Sequence, residues 1–410
     1  MKGENITSLF SLDRIDHYEL LTLFDLEFHS SWRLSATEIA FPAQHNHLLV
    51  VRWGDDEIKA ITRSKSLKQD VVDRLIGLVE SNLMDPSPLE FAADLLLTGL
   101  PVKGGFRCDS IPLQMVPVPA HAPHPTEIPA QHPFVLEFPI RRSDIPQLRV
   151  QRRTRLATEW GRALNIFLPV GVRFQGPRVR RSWGTTIGNY TECRWIQEQY
   201  GYEPFDRFLP TLSSAQEAMK TIPFSRADYD TKAQFAGGRP IDELWIPDDL
   251  TANLEAFAKL RRRDRIRFLR AATALYAAND AWDSSVSTHL VGCVQAIEAL
   301  SDSAPRRKWF QFFQKRKGEA PMAAFRSVCE RYAPAQMATK RVLNALYTTR
   351  SDIAHGRRYF YLDELPWAPS GALSLLVSRD LESSTTAVQL AMAVTINWMR
   401  DRSVDPLPAN

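Results

Sequence analysis

The sequence predicts an α+β protein in which a mixed α/β N-terminal region is followed by an all-helical bundle. Three observations carry this. Short apolar runs alternate with turn residues over the first sixty positions. Residues 112–139 then hold eight prolines in 28 positions. From about residue 248 the apolar residues recur at helical spacing with little strand signal. At 410 residues and 44% apolar content the chain has material for two or three cores, and the reading divides it into 1–111, a connector 112–133, 134–247 and 248–405.

In the first division, HLLVVRW and EIKAITR flank Gly54-Asp55-Asp56 and read as a β-hairpin. Residues 66–84 place Leu67, Val71, Leu75, Leu78 and Val79 near one helical face. A second helix is expected over 88–98, after Pro86 and Pro88. The proline-dense stretch reads as a polyproline-like connector. Its histidines His121, His124 and His132 have no fixed metal-ligand spacing, so no metal is expected there.

The formal net charge of +4 conceals a segregation. Residues 1–140 carry net −8, residues 141–181 net +9 and residues 182–410 net +3. The basic block holds eleven arginines, Arg141 to Arg181, with Trp183 and Trp195 close behind. Arginine beside aromatics suits phosphate pairing and base stacking. Pairing with the acidic first 140 residues is the competing reading. The surrounding stretch, including FVLEFPIR and ALNIFLPVGVRFQ, reads as strand-biased.

Beyond 248, DDLTANLEAFAKLRRRDRIRFLRAATALYAAND suits one long helix with Asp248 or Asp249 as cap. STHLVGCVQAIEALSD follows as a shorter apolar helix, then a basic loop with Arg306, Arg307 and Lys308. Two more helices end in AQMATKRVLNALYTTRSDIAHG, and a last one is expected over about 378–402.

Several function classes drop out. The start has early acids and no long apolar run, unlike a secretory signal, and no run suits a transmembrane helix, so a cytoplasmic protein is expected. Cys108, Cys193, Cys293 and Cys329 form no CxxC pair and read as free thiols. No P-loop, GxGxxG, HExxH or GxSxG occurs, and no cofactor is expected.

The chemistry-bearing run is Arg350-Ser351-Asp352-Ile353-Ala354-His355-Gly356. A histidine titrates near neutrality and can take a proton from a ribose 2′-OH or give one to a leaving 5′-oxygen. An arginine neutralises charge developing on phosphorane oxygens. Five residues advance an ideal helix by about 500°, leaving Arg350 and His355 about 140° apart. Either the helix ends near Gly356 and turns His355 inward, or two chains build the site together. Asp352, three residues before His355, is within reach to orient its ring.

Arg350 to Gly356, with the upstream helix LVGCVQAIEALSD carrying Glu298, resembles the HEPN (higher eukaryotes and prokaryotes nucleotide-binding) superfamily, in particular its Apea-like branch. The resemblance covers roughly residues 250–405. It implies a HEPN helical bundle that pairs as a homodimer, with RNA as substrate and no metal. His355 would be the general acid/base, Arg350 the transition-state cation and Asp352 the orienting group, with Glu298 and Ser351 in support. Arg357, Arg358, Tyr359, Arg306, Arg307 and Lys308 would form an RNA-binding rim. The implied activity is a metal-independent endoribonuclease leaving 2′,3′-cyclic phosphate ends, acting in phage defence by abortive infection under a phage-derived or cellular trigger. Ser351 departs from the Asn, Asp or His that follows the arginine in many active members, which bears on activity. The alternative is a catalytically inactive module that dimerises and binds RNA or nucleotide. Residues 1–240 carry no resemblance.

Overall fold

A computed structural model describes residues 3–43, 46–54, 57–84, 88–118, 132–169, 171–174, 208–214, 217–223, 225, 227, 242–282, 284–301, 321–364 and 372–404. The fold class is α+β, with antiparallel sheets and many helices. By contacts the chain forms two compact units. The first is Met1–Ala92 with Pro139–Leu156 and Phe208–Thr211, and the second is Ala93–Phe138 with Ala157–Arg207 and Leu212–Asn410. Each unit gathers segments distant in sequence, because strands far apart along the chain pair, β11 (Phe208–Leu209) with β6 (Leu89–Thr98) among them.

The first unit opens with β1 (Glu4–Asn5), α1 (His17–Phe28), β2 (Trp32–Ser35), β3 (Glu38–Ala43), β4 (Asn46–Gly54), β5 (Glu57–Arg63) and α2 (Gln69–Val79). The five strands form one antiparallel sheet in the order β1-β5-β4-β3-β2. The expected hairpin is therefore β4–β5, paired from Leu49↔Arg63 to Gly54↔Glu57. Asp16 caps α1, accepting from the backbone N–H groups of Tyr18 and Glu19 at 3.0 Å each. The expected helix over 66–84 is α2 with a wider turn at Glu80–Met84, and its buried face holds Val72, Leu75 and Val79 rather than Val71. Leu20, Phe24, Phe41, Val51 and Leu75 fill the core beside the sheet. Edge-to-face rings tie it together, Phe10 to Phe24 at 5.5 Å and Phe24 to Phe41 at 5.6 Å.

The chain continues through β6 (Leu89–Thr98), β7 (Phe106–Cys108), β8 (Leu113–Pro117), β9 (His132–Arg141), α3 (Pro146–Phe167), β10 (Val172–Phe174), β11 (Phe208–Leu209), β12 (Thr221–Ile222) and β13 (Ile246–Pro247). A second sheet runs β10-β6-β9-β8-β7, with β11 also on β6, and β12 pairs with β13. The structure differs from the sequence expectations at three places. The helix expected over 88–98 is strand β6, because its continuous apolar run fits a strand flanked on both edges. The connector is entered and left by strands: Leu113 and Met115 of β8 are buried, and His132 begins β9. Residues 119–131 lie outside the described residues. ALNIF, read as strand, closes the 22-residue helix α3, where Ala163, Leu164, Ile166 and Phe167 are buried.

The rest is helical: α4 (Leu250–Lys259), α5 (Arg262–Ala281), α6 (Val286–Ala299), α7 (Pro321–Tyr332), α8 (Lys340–Ala354), α9 (Tyr361–Glu364) and α10 (Ala372–Ser403). The single long helix expected from 248 breaks at Leu260, whose ψ of 131° is extended. Asp249 makes no capping bond there and instead accepts from Arg400 and Ser225, both at 2.7 Å. The expected α6, α7 and α8 are present, and α10 begins before residue 378. Gly292 of α6 faces α5 so closely that a Cβ would lie 2.8 Å from the Ala278 Cβ, so only glycine fits this crossing. No helix among the described residues is long and apolar enough to cross a membrane.

Candidate functional site

The motif lies at the C-terminal end of α8. The helix stops at Ala354, and His355 is its cap residue with φ −96° and ψ 5°. Gly356 follows at φ +66°, a left-handed conformation that glycine adopts without strain. The Gly356 N–H bonds the Ile353 carbonyl and the Arg357 N–H bonds the Asp352 carbonyl, both at 2.9 Å, the two bonds of a Schellman termination. The helix thus ends where the sequence places its end. His355 turns to solvent, however, and not inward.

Arg350 and Glu298 are brought together. The Arg350 Nη2 donates to Glu298 Oε2 at 2.8 Å, joining α8 to α6 across 52 positions of sequence, with each side chain about a quarter exposed (22% and 25%). Tyr347, one turn before Arg350, completes the cluster. Its ring lies 5.9 Å below the Arg350 guanidinium and 5.3 Å from Phe325 of α7. Burial first, and then the charge of Glu298, hold the Tyr347 hydroxyl above the ordinary phenol range, while Arg350 pulls the other way. The Nε of Arg350 is buried with no hydrogen-bond acceptor among the described residues. Tyr347 was not singled out from the sequence; the signal available was its i−3 spacing to Arg350.

Asp352 and His355 are not joined. Asp352 faces Arg357, Oδ1 to Nη1 at 3.8 Å, and no hydrogen bond to the His355 ring occurs among the described residues. Ser351, partly buried, accepts the His355 N–H on its carbonyl at 3.1 Å as the last helical bond.

The segment after the motif is pinned from both sides. The buried Phe360 donates its N–H to Ser287 Oγ at 2.8 Å, and the Tyr361 N–H bonds Asp380 Oδ2 at 2.8 Å. Asp363 accepts from the N–H groups of Val286 and Ser287 at 2.9 Å each, capping α6. This anchoring holds Arg357, Arg358 and Tyr359 at the surface beside His355, with Tyr359 47% exposed. Arg358 has Asp380 as counterion at 3.5 Å. Burial is the chief cause that raises the Asp380 carboxyl above its ordinary range. Arg306, Arg307 and Lys308 lie outside the described residues.

The arginine block is only partly a surface for ligands. In the first unit, Arg149 makes a two-bond pair with Glu90 at 2.8 and 2.6 Å. The buried Arg152 donates to Glu19 at 2.9 and 2.7 Å and to the carbonyls of Asn82, Arg141 and Arg142. Arg155 pairs with Asp16 and Glu19. For these arginines intramolecular charge matching is what occurs. In the second unit Arg265 pairs with Glu159 at 2.7 Å over the Phe257 ring. Arg178, Arg180 and Arg181 lie outside the described residues, as do Trp183, Trp195 and Cys193. The remaining cysteines, Cys108, Cys293 and Cys329, are buried free thiols.

Among the described residues no three His, Cys, Asp or Glu side chains converge to hold a metal ion. Compared with protein-family models, with curated proteins and with solved structures, the chain matches none of them.

Proposed function

We propose that the helical region is a HEPN-type domain acting as a metal-independent endoribonuclease. The observation that carries this reading is the end of α8: Arg350 is braced by Glu298 at 2.8 Å, and the solvent-facing His355 follows five residues later beside Arg357, Arg358 and Tyr359. In the reaction the ribose 2′-oxygen attacks the adjacent phosphorus while the bond to the 5′-oxygen breaks. A histidine takes the 2′-OH proton and a histidine returns one to the leaving oxygen. The products carry a 2′,3′-cyclic phosphate and a 5′-OH. Two copies of His355, one from each chain of a homodimer, would supply both roles. Arg350 would stabilise the phosphorane charge.

The test is incubation of the purified chain with total RNA in EDTA, with end-group analysis of the products. Cleavage giving cyclic phosphate ends is expected. His355→Ala should lower it by about 10²–10⁴-fold with folding unchanged, and Arg350→Ala by about 10²–10³-fold. Unchanged cleavage by His355→Ala would overturn the assignment. The phage-defence role predicts that expression of the wild-type chain arrests growth and that expression of the His355→Ala chain does not.

A second reading is a module that dimerises and binds RNA or nucleotide without cutting it. One observation favours it: among the described residues the His355 ring has no orienting hydrogen bond, and the residue serves as a helix cap. RNA retention without cleavage would select this reading.

A further inference from the structure

Away from the α8 motif, the first unit carries an open groove of about 380 Å³ between the start of α1 and the β2–β3 hairpin. Tyr18 and Leu21 of α1, Trp32 of β2, Ile39 of β3 and Trp53 of β4 supply its apolar and aromatic lining. Tyr18 and Trp32 are each 47% exposed, an uncommon expense for two large aromatics sharing one concavity. The rings are held in place. Trp53 stands at a register shift in the β4–β5 pairing and donates its N–H to the Thr37 carbonyl at 2.7 Å, which ties it to the hairpin turn. Its indole meets the Tyr18 ring at 5.1 Å and 55°, and the His17 ring at 6.3 Å. His17 is itself fixed by the Ile58 N–H on Nδ1 at 2.9 Å and by Leu12 O on Nε2 at 2.8 Å.

The charges of the lining select the ligand. Its one carboxylate, Glu38, is already neutralised by Arg52, which donates Nε and Nη2 to the same oxygen at 3.1 and 3.0 Å. Its one cation, Arg33, has no carboxylate partner among the described residues. Arg33 donates only its Nε, to the Ser35 carbonyl at 3.0 Å, which orients the guanidinium and leaves both Nη groups for an oxyanion. A quaternary or primary ammonium would meet that uncompensated positive charge, so an ammonium cage is disfavoured. A groove of this size with aromatic walls and one oriented arginine suits a planar ring carrying an anionic group.

We propose that this groove binds a nucleotide, its base stacking against the indoles and its phosphate on Arg33. The shared chemistry is base plus phosphate, and the source is either a free mononucleotide or the terminal nucleotide of a single strand. Ser31, Ser35 and Thr37 at the rim offer hydroxyls to the base edge or the ribose.

The test is calorimetric titration of the full-length chain with the four nucleoside 5′-monophosphates, adenosine, a 5′-phosphorylated tetranucleotide and tetramethylammonium. At least one monophosphate is expected to bind, and adenosine at least tenfold more weakly than AMP. Arg33→Gln should bring AMP down to the adenosine level, and Trp32→Ala should weaken both by about tenfold or more. Trp32 and Arg33 lie on an exposed edge strand, so these variants keep the fold, which circular dichroism checks. Tighter binding of the tetranucleotide than of the monophosphates assigns the source to strand ends, and the reverse order assigns it to free nucleotide. No monophosphate binding at millimolar concentration, tighter binding of tetramethylammonium, or binding unchanged in both variants would overturn the proposal. Running the series on His355→Ala keeps this result separate from the ribonuclease reading, since that variant should titrate like wild type.

Discussion

Arg350 is the residue whose surroundings the structure sharpens most. A lone surface ion pair contributes little, about 0–1 kcal/mol. What distinguishes Arg350–Glu298 is the third member, Tyr347, whose ring underlies the guanidinium and whose hydroxyl interacts with the same carboxylate. The bond from Nη2 to Glu298 orients the guanidinium. Under the ribonuclease reading Tyr347 is a positioning residue. Tyr347→Phe keeps the ring and removes the hydroxyl, so kcat should fall about tenfold with KM nearly unchanged and thermal stability within about 0.5 kcal/mol of wild type. An equal loss in the Tyr347→Phe and Arg350→Ala variants with no change in KM would mean the hydroxyl decides the arginine's placement entirely. A Tyr347→Phe enzyme identical to wild type would remove Tyr347 from the site.

At the scale of elements, α3 shows how the arginine block is used. Arg152 is 2% exposed, and its guanidinium binds Glu19 of α1 together with three backbone carbonyls from the ends of α2 and β9. Such a side chain is a junction that satisfies buried acceptors, not a ligand contact. Arg152→Ala leaves the equally buried Glu19 carboxylate short of its partner and should cost about 3–5 kcal/mol in urea unfolding of the first unit. Arg149→Ala, at a pair whose arginine is about a third exposed, should cost about 1 kcal/mol or less. Near-equal losses would mean that burial does not govern these pairs. In α6, Ser285 caps the N-terminus and Gly292 lets the helix approach α5 closely.

At the scale of the whole molecule, the net charge of +4 is less informative than where charges end up. Three of its eleven arginines, Arg149, Arg152 and Arg155, pair with acids of the first 92 residues, so their charge is neutralised within the first unit. The helical unit has its own pH sensitivity. His289 is buried, with Ser384 Oγ on Nδ1 at 2.6 Å and Cys293 Sγ 3.7 Å from Nε2, and burial lowers its pKa from 6.5 to about 4. The native state therefore keeps the ring neutral while the unfolded chain protonates it below 6.5. Its contribution is fully present above that pH and is lost as pH falls toward 4. Between pH 7.5 and 5 the helical unit should lose about 2 kcal/mol by urea unfolding. An NMR titration should show the His289 ring unprotonated until below pH 5. Protonation near 6.5 would refute this.

Local signals carried the hairpin β4–β5, helices α2, α6, α7 and α8, and the stop at Gly356. Each depends on neighbours within about a turn or a hairpin, where apolar period, caps and turn residues decide the backbone. What only the tertiary structure decided depends on partners far away in sequence. LEFAADLLLT became strand β6 because β9, β10 and β11 pair with it, and the prolines of the connector are entered by β8 because β7 and β9 lie beside it. ALNIF became helix because its buried face continues that of α3. Arg152 became structural because Glu19, 133 positions away, lies within hydrogen-bond distance. The motif residues themselves were legible in the sequence. That Arg350 meets Glu298 and Tyr347, and that Asp352 turns to Arg357 and not to His355, required the packing of α6, α7 and α8, because side-chain partners across helices are set by crossing geometry that no local spacing encodes.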